Sequence, residues 1–265
     1  MLKIYEKYKL LYITDETYLD EGLTVAFTTK HGGVSDGKMA TMNMSYSRKD
    51  NESNVTENYR RLKEALNISE NKHYIMHQVH GNKVRVVKAG ETSEGFCHTE
   101  EFDAQITECR GVVLTAMHAD CVPLLFYDMR NKAIGAVHSG WRSTVDGVAV
   151  ETVKAMQQEF NTKLTALKIW IGPAICKEHF EVREDVREEF AKKIPWALKY
   201  FSPKEDGTYT ADLKGIIKEN LTNMGISGDN IKDIGLCTYC NEGLFYSHRR
   251  DKGNTGTMTG IICMG

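Results

Sequence analysis

Thr115–Arg142, TAMHADCVPLLFYDMRNKAIGAVHSGWR, contains two short apolar runs joined by a polar turn. The runs are Val122–Tyr127 and Ala133–Val137, and Asp128–Lys132 between them is good turn material. Two extended runs around a turn can fold back as a hairpin. Cys121 opens the first run and His138 closes the second, so such a hairpin brings the two residues level. A thiolate and an imidazole form a donor pair suited to zinc. They are equally the pair that a cysteine nucleophile and its base would use. The segment alone leaves both readings open.

Further strands are expected on either side of this segment. Residues 23–29 (LTVAFTT), Lys83–Lys88, Gly111–Ala116, Leu167–Ile171, Ile231–Leu236 and Leu244–Ser247 all read as strands. Asn51–Asn67 reads as a helix, with Val55, Tyr59, Leu62 and Leu66 on one face. A second helix is expected over Thr144–Phe160, with Val145, Ala149, Val153, Met156 and Phe160 facing inward. Glu184–Lys193 and Asp212–Met224 also have helical period, the latter with Asp212 as its N-cap. Strands outnumber helices and come in clusters, which argues for an α+β fold with mixed sheets over a doubly wound parallel one. With only 4 Pro and no linker-like stretch, residues 1–265 are expected to form one domain.

Composition narrows the function classes. The net charge of -2 gives no footprint for nucleic acid or an acidic membrane. No window approaches a membrane span, and the N-terminus lacks a signal-peptide core. Seven cysteines is an odd number in a chain large enough to fold without staples, so reduced thiols in the cytoplasm are expected. The dinucleotide fingerprint and the P-loop pattern are both missing.

Several other motifs could carry chemistry. His77 and His80 of HQVHG would point to opposite faces of an extended segment, so one of them facing a site is more natural than joint chelation. His138-Ser-Gly-Trp-Arg142 leads into a helix, and a helix start with an arginine beside it suits an anion. The blander alternative gives Trp141 to the core and Arg142 to a surface ion pair. Cys237-Thr-Tyr-Cys240 has zinc or redox spacing but no second CxxC to complete it. Arg249 and Arg250 follow an aromatic stretch and could line a pocket or a solvated edge. Gly172–Cys176 reads as a strand-end turn.

Taken in order, these blocks resemble the multicopper-polyphenol-oxidase or laccase-domain family, the YfiH/YlmD-like proteins. The matching blocks are FTTKHGGVSDG (27–37), MNMS (42–45), VTENYRRL (55–62), HQVHG (77–81), HADCVPLLFYD (118–128) and AVHSGWR (136–142). IGPAIC (171–176), FEV (180–182), ADL (211–213), CT (237–238) and FYSHRRD (245–251) continue the match along the chain. The resemblance implies a layered α/β/β/α arrangement of mixed sheets. It also implies a zinc-dependent purine nucleoside phosphorylase with adenosine deaminase activity, whose partners are purine nucleosides and phosphate.

Carried over residue by residue, the implied metal ligands are His80, Cys121 and His138, leaving a fourth position for water or substrate. Arg142, Arg60, Arg249 and Arg250 are candidates for phosphate or substrate contact, together with Asn43 and Gln78. Cu²⁺ could also occupy such a site in vitro. The family's older label, a copper oxidase of phenols, fits poorly because none of the nine histidines forms an HxH pair. A cysteine hydrolase using Cys121 and His138 would leave His80 without a task. Lys30, Ser143, His248 and Thr257 depart from the family's common residues, which bears on substrate preference.

Overall fold

The computed structural model describes residues 1–91 and 95–265. Two large sheets stack face to face. One has seven strands, with Leu23–Thr28, Met258–Met264 and Val112–His118 at its centre. The other has six, centred on Leu167–Ile171, Val122–Asp128, Ala133–Ser139 and Ala104–Thr107. A small third sheet of three short strands lies within residues 181–211. Both large sheets mix parallel and antiparallel pairs.

The alternation of side chains explains the layering. Along Val122–Asp128, Val122, Leu124 and Phe126 pack outward against helices, while Leu125 and Tyr127 face the other sheet. In the facing sheet, Leu114 and Ile262 point into that shared interior, and Val113, Ile261 and Cys263 point away from it. Period-2 alternation with both faces apolar requires cover on both sides. Helix α1 (Glu52–Ala65) covers the seven-stranded sheet with Val55, Tyr59 and Leu62. The six-stranded sheet is covered by α2 (Trp141–Val145), α3 (Val148–Phe160), α4 (Glu184–Lys193) and α5 (Leu213–Asn223). The result is the expected α/β/β/α order. Each fully buried Leu or Phe in these layers contributes roughly 1.5–3 kcal/mol.

Most elements begin where the sequence signals place them. Asn51 caps α1 by accepting from Ser53 N, and Asp212 caps α5 by accepting from Gly215 N. Four expectations need correction. The helix expected over Thr144–Phe160 is two helices, because Gly147 takes φ 76 and breaks the run. Leu244–Ser247 forms no strand; Phe245 and Tyr246 are buried from a loop instead. Ile231–Leu236 and Lys83–Lys88 are shorter as strands, covering Ile231–Asp233 and Val84–Val86. The strands Leu2–Tyr5, Leu10–Thr14, Lys72–His77, Ala104–Thr107 and Met258–Met264 carry no signal in the sequence reading. Among the described residues, no helix is long and apolar enough to cross a membrane.

One buried group gives the fold a pH dependence. The His73 ring packs edge-on against Tyr59 at 4.5 Å. Burial, with the Lys63 charge second, pushes its pKa down to about 3 from an ordinary 6.5. Between those values the unfolded chain binds a proton that the folded chain refuses. Stability is therefore fully present above about pH 6.5 and is lost as pH falls toward 3. Urea midpoints are expected to drop over that window. His73→Phe should flatten the dependence by up to about 1.4 kcal/mol per pH unit; an unaltered slope would count against this assignment.

Candidate metal centre and cavity

His138 is the second-last residue of Ala133–Ser139 and pairs in register with Pro123. The expected hairpin therefore exists, and Cys121, just before Val122–Asp128, lies beside His138. His80 arrives from a separate loop after Lys72–His77, held in the left-handed region at φ 62. One donor atom from each of His80, Cys121 and His138 lies within 4.8 Å of the other two. The trio sits at the end of the sheet sandwich, where strands of both sheets stop.

Asp103, fully buried, organises this point. Its carboxylate accepts from the backbone N–H of Val79 (3.2 Å), His80 (3.0 Å) and Gly81 (2.6 Å). The same group lies 2.8 Å from His138 Nδ1. One carboxylate thus fixes both the loop that carries His80 and the ring of His138. It leaves the Nε2 side of His138 as the free donor, an arrangement common among histidine metal ligands. Burial alone would lower the His138 pKa, but Cys121 and Asp103 outweigh it and push it up to about 9. Hydrogen bonds and the neighbouring His138 hold the Asp103 carboxyl below its usual range despite burial.

Asp120, with φ 90, turns the chain immediately before Cys121. A non-glycine residue in that region carries strain and is held there by its surroundings. Here Asp120 Oδ1 accepts from Thr238 Oγ1 (2.6 Å), and Oδ2 accepts from Ser247 Oγ (3.0 Å) and Arg249 N (2.6 Å). The C-terminal segment is thereby tied to the cysteine turn. Gly140 completes the packing. A Cβ added there would collide with His80 Nδ1 and lie 3.1 Å from Cys121 Sγ. Gly140 has an ordinary φ of -78, so Gly140→Ala tests space at the trio without adding backbone strain. The variant is expected to fold with a near-native melting temperature and to lose the metal held by this trio, read as a drop in metal content by elemental analysis. Undiminished metal content would contradict this geometry.

The trio opens into a cavity of about 530 Å³, a volume usual for small-molecule sites. Arg48, Gln78, His118, Trp141, Phe180, His248, Arg249 and Thr257 are among its lining residues. Arg48 donates to Thr257 Oγ1 (3.2 Å) and Gly253 O (3.4 Å), and Arg249 donates to His179 O (3.3 Å). Among the described residues, neither guanidinium is paired with a carboxylate.

The other expected contact residues are placed differently. Gln78 lines the cavity, but its amide is already matched to the backbone N–H and C=O of Met117. Arg142 is exposed with its guanidinium 4.2 Å from the Trp141 ring centroid, and it does not line the cavity. Arg60 lies on the outer face of α1, bound to Glu57, Glu64 and Tyr8, too fully engaged to serve a substrate. Arg250 is a structural clamp that donates to Thr238 O, Tyr239 O and Phe245 O. Buried Asn43 also holds the framework, donating to Asp50 and Ser45 O and accepting from Thr257 N. The residues not anticipated are Asp103, Asp120 and Arg48. Asp103 and Arg48 carry no local motif, whereas Asp120 stood unremarked beside Cys121.

Fold and cavity together define a class: two stacked mixed sheets with one cysteine and two histidines lining an arginine-bearing cavity. The chain belongs to the family described as multi-copper polyphenol oxidoreductase laccase, whose model matches residues 24–265. It is 33% identical over 252 residues to purine nucleoside phosphorylase YlmD of Geobacillus stearothermophilus, covering 91% of this chain and 90% of that protein. It is 32% identical over 262 residues to purine nucleoside phosphorylase LACC1 of Mus musculus. That match covers 96% of this chain but only 58% of the mouse protein, so the chain spans little more than half of that relative. Among solved structures, Bacillus licheniformis YfiH superposes with a TM-score of 0.89 at 27% identity, covering 100% and 99% of the two chains. YlmD from Geobacillus stearothermophilus gives 0.85 at 32% identity, covering 92% of each chain.

Proposed function

We propose that this chain is a zinc-dependent purine nucleoside phosphorylase that also deaminates adenosine. The observation that most supports it is the meeting, in one cavity, of the His80–Cys121–His138 donors with the guanidinium groups of Arg48 and Arg249. One thiolate and two imidazoles fit zinc, and a set of three leaves a position open, as catalytic rather than structural sites do. When bound, the zinc would supply Lewis-acid polarisation of a group at that open position.

The chain's own residues account for the rest. Arg48 and Arg249 bind phosphate, replacing its water with charge-assisted hydrogen bonds. Trp141 and Phe180 give the cavity apolar wall for the purine ring. Held beside C1′, a phosphate oxygen forms the new C–O bond as the N9–C1′ bond breaks, giving ribose 1-phosphate and the free base. His248, which also lines the cavity, is the candidate to donate a hydrogen bond to the departing purine. In deamination, water adds at C6 and ammonia leaves, converting adenosine to inosine. Adenosine, inosine, guanosine and methylthioadenosine are the candidate substrates.

Chromatography of products from adenosine with and without phosphate tests the reading. Adenine formed only with phosphate indicates phosphorolysis, and inosine indicates deamination; neither product from zinc-replete protein would overturn it. Arg48→Ala is expected to raise the phosphate KM roughly tenfold to a hundredfold, the worth of a hydrogen bond to a charged group. An unchanged phosphate KM would remove Arg48 from this role.

A second reading has one observation in its favour. Cys121, His138 and Asp103 are also arranged as a nucleophile, a base and the carboxylate that orients it. A covalent substrate adduct on Cys121 in metal-replete protein would select this cysteine hydrolase over the zinc enzyme.

A further inference from the structure

A second group of metal-type donors lies on the far side of the cavity wall. Cys176, His179, Cys237 and Cys240 each contribute one donor atom, all within 4.8 Å of one another. They come from two segments: the turn after Leu167–Ile171, and the loop that follows Ile231–Asp233. We propose that these four residues bind a second zinc ion, a structural one, that locks the two segments together behind the cavity.

The distances match what a tetrahedral ion needs. With zinc bonds of about 2.3 Å to sulfur and about 2.0 Å to nitrogen, the tetrahedron's edges are about 3.8 Å for S···S and about 3.5 Å for S···N. Cys176 Sγ lies 3.8 Å from Cys240 Sγ, and His179 Nδ1 lies 3.2 Å and 3.4 Å from those two sulfurs. Four converging donors close a site and leave no position for substrate, the pattern of a structural zinc. A disulfide would use two of the sulfurs and leave the third cysteine and the histidine aimed at it without purpose.

The backbone is arranged for a buried thiolate. The N–H groups of Cys176 (3.2 Å) and Cys240 (3.4 Å) both point at Cys237 Sγ. Such N–H···S contacts spread the charge of a coordinated sulfur over the backbone. Stacking on Tyr239, at 4.1 Å and 18°, fixes the His179 ring with Nδ1 inward. A β-bridge between Ala174 and Cys237 already sets the two segments side by side. Arg250 caps the Cys237–Cys240 turn through Thr238 O and Tyr239 O.

The position explains what the ion would do. Ile175 and Phe180, at either end of the Cys176–His179 pair, line the cavity. Arg249 donates to His179 O, and Thr238 donates to Asp120 beside Cys121. A zinc here would hold the wall that carries Arg249 and Phe180 without touching substrate. Binding releases the thiol protons to solvent, so occupancy rises with pH.

Zinc content of the full-length protein tests the proposal and separates it from the catalytic zinc. Two ions per chain are expected in the wild type, one in Cys240→Ser, one in Cys121→Ser and none in the double variant. If Cys240→Ser proves insoluble, zinc X-ray absorption of the wild type takes its place. Both sites filled give one sulfur from Cys121 and three from Cys176, Cys237 and Cys240, a mean of two per zinc. A mean of three would retain this site and remove the catalytic one. A mean of one, equal zinc in wild type and Cys240→Ser, or a Cys176–Cys240 disulfide in the isolated protein would overturn the proposal.

Discussion

Cys121→Ser is expected to lose the zinc held with His80 and His138 and, with it, turnover of purine nucleosides. A serine hydroxyl stays protonated where the thiolate of Cys121 would give a charged, soft donor, and two imidazoles alone bind zinc far more weakly. Loss of metal assistance removes several kcal/mol of transition-state stabilisation. Converted at about 1.4 kcal/mol per decade, kcat/KM should fall by about three orders of magnitude or more. The fold should tolerate the change, since Cys121 lies in a turn at the cavity and outside the sheet core. The expected outcome is therefore an inactive protein with a near-native melting temperature. A Cys121→Ser protein that keeps full activity without zinc on His80 and His138 would exclude both the zinc reading and the cysteine nucleophile.

Asp103→Asn should produce the next largest loss, although Asp103 touches no substrate. The carboxylate accepts three backbone N–H groups from residues 79–81 and also faces His138 Nδ1. An amide keeps the shape but loses the charge and presents two N–H donors to a surface made of donors. His80 and His138 should both lose their fixed orientation. Removing a group that orients metal-bound histidines costs about tenfold to a hundredfold in metal affinity. Breaking buried charge-assisted hydrogen bonds costs a further roughly 1.5–3 kcal/mol of stability. Zinc titration of Asp103→Asn should show the weaker affinity, and saturating zinc should restore part of the activity. Native zinc affinity in this variant would mean that the loop and His138 are positioned by something else.

These effects depend on contacts that differ in how far the sequence reveals them. The hairpin of Val122–Asp128 and Ala133–Ser139 is legible because the two apolar runs and the turn residues between them agree there. The face of α1 is legible as well, with four apolar residues at helical spacing. The edge strand Leu2–Tyr5 and its neighbour Leu10–Thr14 are short and carry tyrosines, with Lys3 in the first, which blurs the alternation. Gly147 broke a helix whose apolar period continues unchanged across the break, because period reports which face is buried and not whether the backbone is continuous.

The site was legible only in part. His80, Cys121 and His138 stand in recognisable blocks, and the resemblance assigned them together. Asp103 sits between Phe102 and Ala104 with nothing local to mark it; its importance arises from a loop more than twenty residues away. Arg48 and Arg60 are both arginines in polar surroundings. Only the folded chain shows that Arg60 is spent on Glu57 and Glu64 while Arg48 faces the cavity. Cys237-x-x-Cys240 was visible as a pair, and its missing half was present as Cys176-x-x-His179. The mixed Cys/His spacing, more than fifty residues upstream, hid it.

Phosphate-dependent release of hypoxanthine from inosine, followed in chelator-stripped and then zinc-reconstituted protein, tests the central claim most directly. The account predicts no turnover in the stripped protein, recovery on adding zinc, and no recovery in Cys121→Ser. Full turnover by stripped wild-type protein would contradict it.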